Sequence, residues 1–204
     1  NEDGLNNLIN LIISEGGKAS GELLNAVKDD TIEHLIKKVE NDVGPIDVAV
    51  YNLGAQIGNK SLLDLSIKQF DLGFKMGTLG LFRLSKTLFP FMEKRKSGTL
   101  IVTSSTAAVR GNRGQHSHAA AMGARRMLCQ TLNDEFSIKG IHIIHAIIDG
   151  AVDAPDTLGK MLGSEEYQKL REKVGLDKDG LILPEKIAES YLYLTKQHRS
   201  TWTH

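Results

Sequence analysis

Apolar positions along the chain switch between two periods, and each switch marks an element. Leu5, Leu8, Ile9, Ile12 and Ile13 recur at helical spacing, and Gly16-Gly17 follows them as a stop. Residues 19–27 read as a short strand. Asp29-Asp30-Thr31 opens a second helix carrying Ile32, Leu35, Ile36 and Val39, its acidic residues at the positive end of the dipole, and Gly44-Pro45 ends it. Ile46-Asp47-Val48-Ala49-Val50-Tyr51 is a nearly unbroken apolar run, the pattern of a parallel strand covered on both faces. Loop 52–61 leads through Ser66 into a long helix ending near Arg95, with Pro90 marking a kink or a division. A strand at 99–104, a helix at 118–137 and a strand at 141–148 follow in turn. After Asp149-Gly150 the pattern is polar and mixed to residue 183, and Pro184 opens a last helix from its favoured first-turn position.

Strands alternating with helices predict an α/β fold: right-handed crossovers, a doubly wound parallel sheet, and helices on both faces in three α/β/α layers. No internal repeat or compositional break divides the chain, so 1–204 reads as a single domain. The 151–183 stretch reads as a lid-like excursion near the C-terminal edge of the sheet, where open sheets of this kind take their ligands.

Composition narrows the class. A 204-residue chain with 41% hydrophobic residues is long enough to bury one substantial core. Twenty-five basic and twenty-five acidic residues cancel, so no chain-wide field gathers a polyanion. With 5% aromatics and no zinc-finger spacing, no nucleic-acid partner is expected. Cys129 is the single cysteine, which excludes an intrachain disulfide; beside Leu128 and Leu132 it reads as a buried, inert thiol. No apolar run reaches the ~18–20 residues that span a bilayer, and no basic-then-apolar leader opens the sequence, so no membrane partner is expected and the cytoplasm is the expected compartment.

Four histidines raise the question of a metal. His116, His118, His142 and His145 have no cysteine or carboxylate at ligand spacing, and strand parity would point His142 and His145 to opposite faces, so no metal site is expected. Ser105 and His118 lack the Gly-x-Ser-x-Gly elbow of a serine hydrolase. Arg110, Arg113, Arg125 and Arg126 form a positive cluster, read as ordinary surface charge or an oligomer contact in preference to a site for an acidic ligand.

Several motifs in order carry a family resemblance. Asn52-Leu53-Gly54-Ala55 after the 46–51 strand resembles the Asn-Ala-Gly loop of the short-chain dehydrogenase/reductase family, and Asp47 fits that strand's aspartate. Gly80, Phe82 and Phe91-Met92 match the long helix, Ser104-Ser105 the serine strand, Asp149-Gly150-Ala151-Val152 the turn before the lid, and Pro184-Glu185-Lys186-Ile187-Ala188 a late helix. The resemblance implies a Rossmann-like fold, a nicotinamide cofactor (NAD or NADP), a small-molecule carbonyl or alcohol substrate, and a homo-oligomer built through the helices at 66–95 and 118–137. The family's opening strand, glycine-rich turn, helix and second strand have no counterpart here, nor does its final strand. Truncation or incomplete representation at both ends is therefore the expectation.

The implied catalytic positions have changed. By resemblance, Ser105 stands at the family serine, His118 at the tyrosine, Met122 at the lysine and Gly77 at the asparagine. A thioether cannot supply charge or a strong hydrogen bond, and glycine has no side chain to hold a water, so the usual tyrosine–lysine mechanism is not supported. An imidazole titrates closer to neutral pH than a phenol; Ser105 and His118 are the candidate catalytic pair. The resemblance places Asn52, Gly54 and Ala55 along the nucleoside, Asn25 and Ala26 near the adenine, and Gly150 and Val152 near the nicotinamide; Ala154 stands where a threonine is common. Two functions stay open: an oxidoreductase with altered catalytic residues, and an inactive nucleotide-binding or scaffold protein.

Overall fold

The structure, a computed structural model, describes residues 2–28, 30–54, 59–175 and 180–204. The elements are α1 (Glu2–Ser14), α2 (Thr31–Lys38), β1 (Val48–Tyr51), α3 (Ile67–Phe74), α4 (Gly80–Arg95), β2 (Gly98–Ser105), α5 (His116–Phe136), β3 (Ile141–Ile148), α6 (Lys160–Leu162), α7 (Ser164–Val174) and α8 (Pro184–Thr195). The three strands pair in the order β1-β2-β3, all parallel, with Val48 opposite Thr99 and Val102 opposite His145. This is the parallel α/β sheet expected from the alternation of periods, and the Rossmann-like arrangement that the family resemblance implies.

One face of the sheet carries the main core. Tyr51, Leu100, Val102, Ile141 and Ile143 project from alternate strand positions into a core completed by Ile32 and Ile36 of α2, Leu81, Leu88, Phe89 and Met92 of α4, and Cys129 and Leu132 of α5. The opposite face is covered only in part. Tyr191 of α8 meets Thr103 through a 2.7 Å hydroxyl–hydroxyl hydrogen bond, and Trp202 stacks on His142 with ring centroids 4.7 Å apart. At the β1 end of that face, Val48 and Val50 remain 44% and 48% exposed. Coverage on both faces of β1, expected from its apolar run, is therefore corrected: the run shows which residues favour burial, and no described element lies over them.

The strand expected at 19–27 is also absent; residues 18–25 have no regular structure and 26–27 form a turn. A strand exists through its ladder partner, and among the described residues none pairs with this segment. Gly16 has φ +84°, the left-handed conformation that closes a helix, so Gly16-Gly17 acts as the stop for α1.

The long helix is interrupted by a π turn at Lys75–Leu79 between α3 and α4, while Pro90 sits inside α4 without ending it. Ser66 starts α3 with a capping box: its hydroxyl accepts from Gln69 N–H, and Gln69 returns the bond to the Ser66 N–H. A π turn widens the helix and releases carbonyls from the regular ladder. Two of them are used: Met76 O accepts from the Tyr51 hydroxyl at 2.5 Å and Gly77 O from Arg125 Nε at 2.6 Å. Gly80 follows because a Cβ there would lie 2.3 Å from that Tyr51 oxygen.

Candidate active site

Parallel pairing brings the C-terminal ends of β1, β2 and β3 to one edge, so loop 52–54, Ser104-Ser105 and Asp149-Gly150 are neighbours there. Ser105 closes β2, and His118 lies in the first turn of α5. Their side chains meet: Ser105 Oγ and His118 Nε2 are 3.0 Å apart, both half-buried. The first turn of α5 is anchored between them and α3, since buried Ser117 donates its hydroxyl to Phe70 O at 3.1 Å.

The other two family positions face inward. Met122 is 2% exposed and packs with Ala107, Ala108 and Ala121. Its sulfur accepts from the Ser104 hydroxyl at 3.7 Å, so the side chain is sealed behind β2. Gly77 sits in the π turn, where its carbonyl is taken by Arg125.

Arg125 was missed as a site residue. Grouped by sequence with Arg110, Arg113 and Arg126 as surface charge, it is instead 2% exposed. Its guanidinium donates to Gly77 O at 2.6 Å, Thr103 O at 2.5 Å and Leu53 O at 2.8 Å, and lies 5.1 Å from the Tyr51 ring centroid. Three elements that frame the edge are thereby tied to one cation. Burial lowers its pKa, while Tyr51, pushed up to about 12 by burial, stays a neutral phenol. The spacing 118, 122, 125, 129 puts Arg125 on the buried stripe of α5, a signal that its charge obscured.

Among the expected nucleotide contacts, Asn52 and Gly54 are exposed at the end of β1, and a Cβ on Gly54 would meet nothing within 4 Å. Ala55 lies outside the described residues. Gly150 and Val152 follow β3, but the missing side chain at Gly150 serves Ile182, whose Cδ1 would lie 2.8 Å from a Cβ there; Val152 bridges to Ile182 in parallel. Asn25 and Ala26 are at the approach to α2. Asn25 Oδ1 accepts from Val27 N–H at 3.2 Å, and Ala26 packs on the main core. Asn52 and Gly54 are exposed at the same C-terminal edge of the sheet as the Ser105–His118 pair and leave room there for the ribose side of a dinucleotide. Met122 offers it nothing, and no glycine-rich strand-to-helix turn occurs among the described residues.

Residues 151–175 begin at a polar knot: Asp153 accepts from the Tyr167 hydroxyl and pairs with Arg171 at 3.1 Å. His142 is buried and hydrogen-bonded to Thr203 O at 2.8 Å, while burial followed by Arg125 and Arg126 brings the His145 imidazole down to about 4. No helix among the described residues is long and apolar enough to cross a membrane.

The family model for short chain dehydrogenases matches residues 1–161. The chain belongs to the short-chain dehydrogenase family. It is similar to the 3-oxoacyl-acyl-carrier-protein reductase FabG of Thermotoga maritima, 26% identical over 184 residues, covering 90% of this chain and 72% of that protein. It is also similar to a 2-dehydro-3-deoxy-D-gluconate 5-dehydrogenase of Formosa agariphila, 31% identical over 63% of this chain and only 48% of that protein. Among solved structures, an alcohol dehydrogenase from Thermococcus sibiricus complexed with 5-hydroxy-NADP superposes with a TM-score of 0.76 at 23% identity, over 99% of this chain and 79% of that one. That likeness establishes the fold of this short-chain dehydrogenase family member.

Proposed function

We propose that this family member is an NAD(P)-dependent oxidoreductase of a small carbonyl/alcohol pair, with His118 exchanging the proton on the substrate oxygen and Ser105 holding that oxygen. The observation that carries the reading is the 3.0 Å contact between Ser105 Oγ and His118 Nε2 at the C-terminal edge of the sheet. A reduced nicotinamide, when bound, supplies the hydride to the carbonyl carbon. Asn52 and Gly54 would hold the cofactor's ribose side. Ser105 donates a hydrogen bond to the carbonyl oxygen, and the imidazolium of His118 delivers the proton from Nε2 as that oxygen becomes a hydroxyl. In the reverse direction the neutral imidazole accepts it. Dehydrogenase and reductase relatives support the reaction class, and the solved NADP-analogue complex of a fold neighbour supports the cofactor class.

One feature favours a second reading, a nucleotide-binding protein without turnover: Met122, where the resemblance places a lysine, is sealed behind Ser104 and supplies no charge to the proton-transfer pair. The two readings separate in one experiment. Nucleotide affinity is measured by calorimetry, and nicotinamide oxidation is followed across a carbonyl panel for wild type and His118→Ala. Loss of general acid–base catalysis is expected to lower turnover about 100-fold or more, with nucleotide affinity held within about threefold. Turnover unchanged by the substitution removes His118 from the mechanism, and tight nucleotide binding with no wild-type turnover selects the second reading.

A further inference from the structure

We propose that the cavity beside the first turn of α5 is a carboxylate subsite, which makes the substrate a small acid carrying the reacting carbonyl or hydroxyl. The cavity encloses about 530 Å³ between residues 59–62 and the turn that opens α5. Its wall carries Lys60, Arg113 and His116, with Asn59, Ser61 and Gly114, and no carboxylate among the described residues. Asp64, just beyond that wall, is engaged by the Ser61 hydroxyl at 2.5 Å. Among the described residues, neither Lys60 nor Arg113 makes an ion pair.

The cations are carried on a shared frame. Lys60 N–H donates to Gly114 O at 3.0 Å, which ties the two loops together. Gly114 has φ +79°, and a Cβ there would come 3.3 Å from Asn59 Cβ, so glycine permits both the turn and the close approach. Arg113 and His116 therefore project from a turn whose position is fixed relative to Lys60. Beyond it, α5 begins with His116 on the cavity wall, Ser117 pinned to α3, and His118 against Ser105.

Two residues along a helix advance by only about 3 Å. In the proposed pose the substrate oxygen rests on Ser105 and His118 and its carboxylate reaches past the opening turn of α5 to Lys60 and Arg113. A guanidinium fork and an ammonium suit a carboxylate, and charge-assisted hydrogen bonds from them are stronger than neutral ones. Because acidic and basic residues balance at 25 each, an acid preference must come from a local group such as this one. Assignment of the cavity as a substrate subsite rests on the Ser105–His118 reading; its affinity for carboxylates does not.

The probes are glycerate, glycerol of the same carbon length without the charge, and inorganic phosphate. Amide resonances of the full chain are followed during titration. Glycerate is expected to saturate with shifts confined to residues 59–62 and 113–116, and glycerol to produce none. Arg113→Ala and Lys60→Gln, each at an exposed or half-buried site and checked for folding by circular dichroism, should each weaken glycerate about tenfold. Equal binding of glycerol, shifts elsewhere, or unchanged affinity in both variants overturns the subsite. Saturation by phosphate without glycerate overturns the carboxylate assignment. Turnover keeps the two proposals apart: glycerate bound with no carbonyl reduced sinks the reaction reading alone, whereas turnover of uncharged ketones that Arg113→Ala leaves intact, with no glycerate bound, sinks the subsite alone.

Discussion

Arg125→Met is the most informative single perturbation of this fold. The substitution keeps the stem and most of the volume but removes a guanidinium that serves Gly77 O, Thr103 O and Leu53 O at 2.5–2.8 Å. Each carbonyl left without a partner in the interior costs ~1–3 kcal/mol. Two effects offset the sum: the buried cation's own desolvation is relieved, and a water admitted to the space can serve one carbonyl. The expected net loss is about 3–4 kcal/mol, a large share of the ~5–15 kcal/mol that holds a typical domain together. Arg125→Lys separates charge from shape. An ammonium restores the cation, but its compact donor geometry cannot reach three carbonyls on three elements, so it should recover no more than about half of the loss. Urea unfolding followed by circular dichroism reads this as a lower midpoint at unchanged slope; with a slope of about 2 kcal/mol/M, the Met variant should shift by about 1.5–2 M. Amide exchange should also quicken at residues 52–54 and 75–79. A Met variant within about 0.5 kcal/mol of wild type, or a Lys variant no better than Met, would refute the view of Arg125 as the clamp of the edge.

Three further outcomes follow from buried or constrained groups. His145 is held down to about 4 from an ordinary 6.5, chiefly by burial and then by Arg125 and Arg126; the unfolded chain therefore takes up a proton near pH 6.5 that the folded chain refuses until about 4. Stability is complete above that window and lost as pH falls through it, by about 2 kcal/mol at pH 5. Urea midpoints at pH 7.5 and 5 measure the loss, and His145→Gln should flatten the slope in part, since His142 is lowered in the same direction. The Cys129 thiol is buried and pushed up to about 12, so it should resist alkylation at pH 8 in the folded protein and react once urea unfolds the chain; rapid labelling under native conditions would contradict its placement. Gly140 joins α5 to β3 at φ +90°, with Lys96 O only 2.2 Å from where a Cβ would stand. Gly140→Ala should thus cost more than the ~1 kcal/mol typical of a strained glycine replacement, read as a drop in melting temperature, whereas Gly111→Ala, with open space around it, should stay close to wild type.

What the sequence reveals depends on whether a feature is encoded by local periodicity or by contacts distant along the chain. β2 and β3 are legible because their β-branched runs are buried by helices that announce themselves in the intervening sequence. Residues 19–27 carry a similar pattern and form no strand, since pattern alone supplies no ladder partner. Val48 and Val50 show the same limit from the other side: their apolar character is written locally, and what covers them is not. The π turn at 75–79 is invisible to periodicity because its freed carbonyls are claimed by Tyr51 and Arg125, from two other elements. The site divides along the same line. Ser105 and His118 could be named from motif position, and their side chains lie 3.0 Å apart. Arg125 was hidden by its charge, which reads as surface until the stripe through His118, Met122 and Cys129 is weighed against it. Lys60 could not be joined to Arg113 and His116 by any spacing rule, because their loops are distant along the chain and meet through contacts such as the bond from Lys60 N–H to Gly114 O. Residues that shape this site are therefore of two kinds. Those at the positions where the family resemblance places catalytic groups are read from motifs, whereas Arg125 inside the fold, and Lys60, Arg113 and His116 around a cavity, acquire meaning only from the partners that tertiary structure gives them.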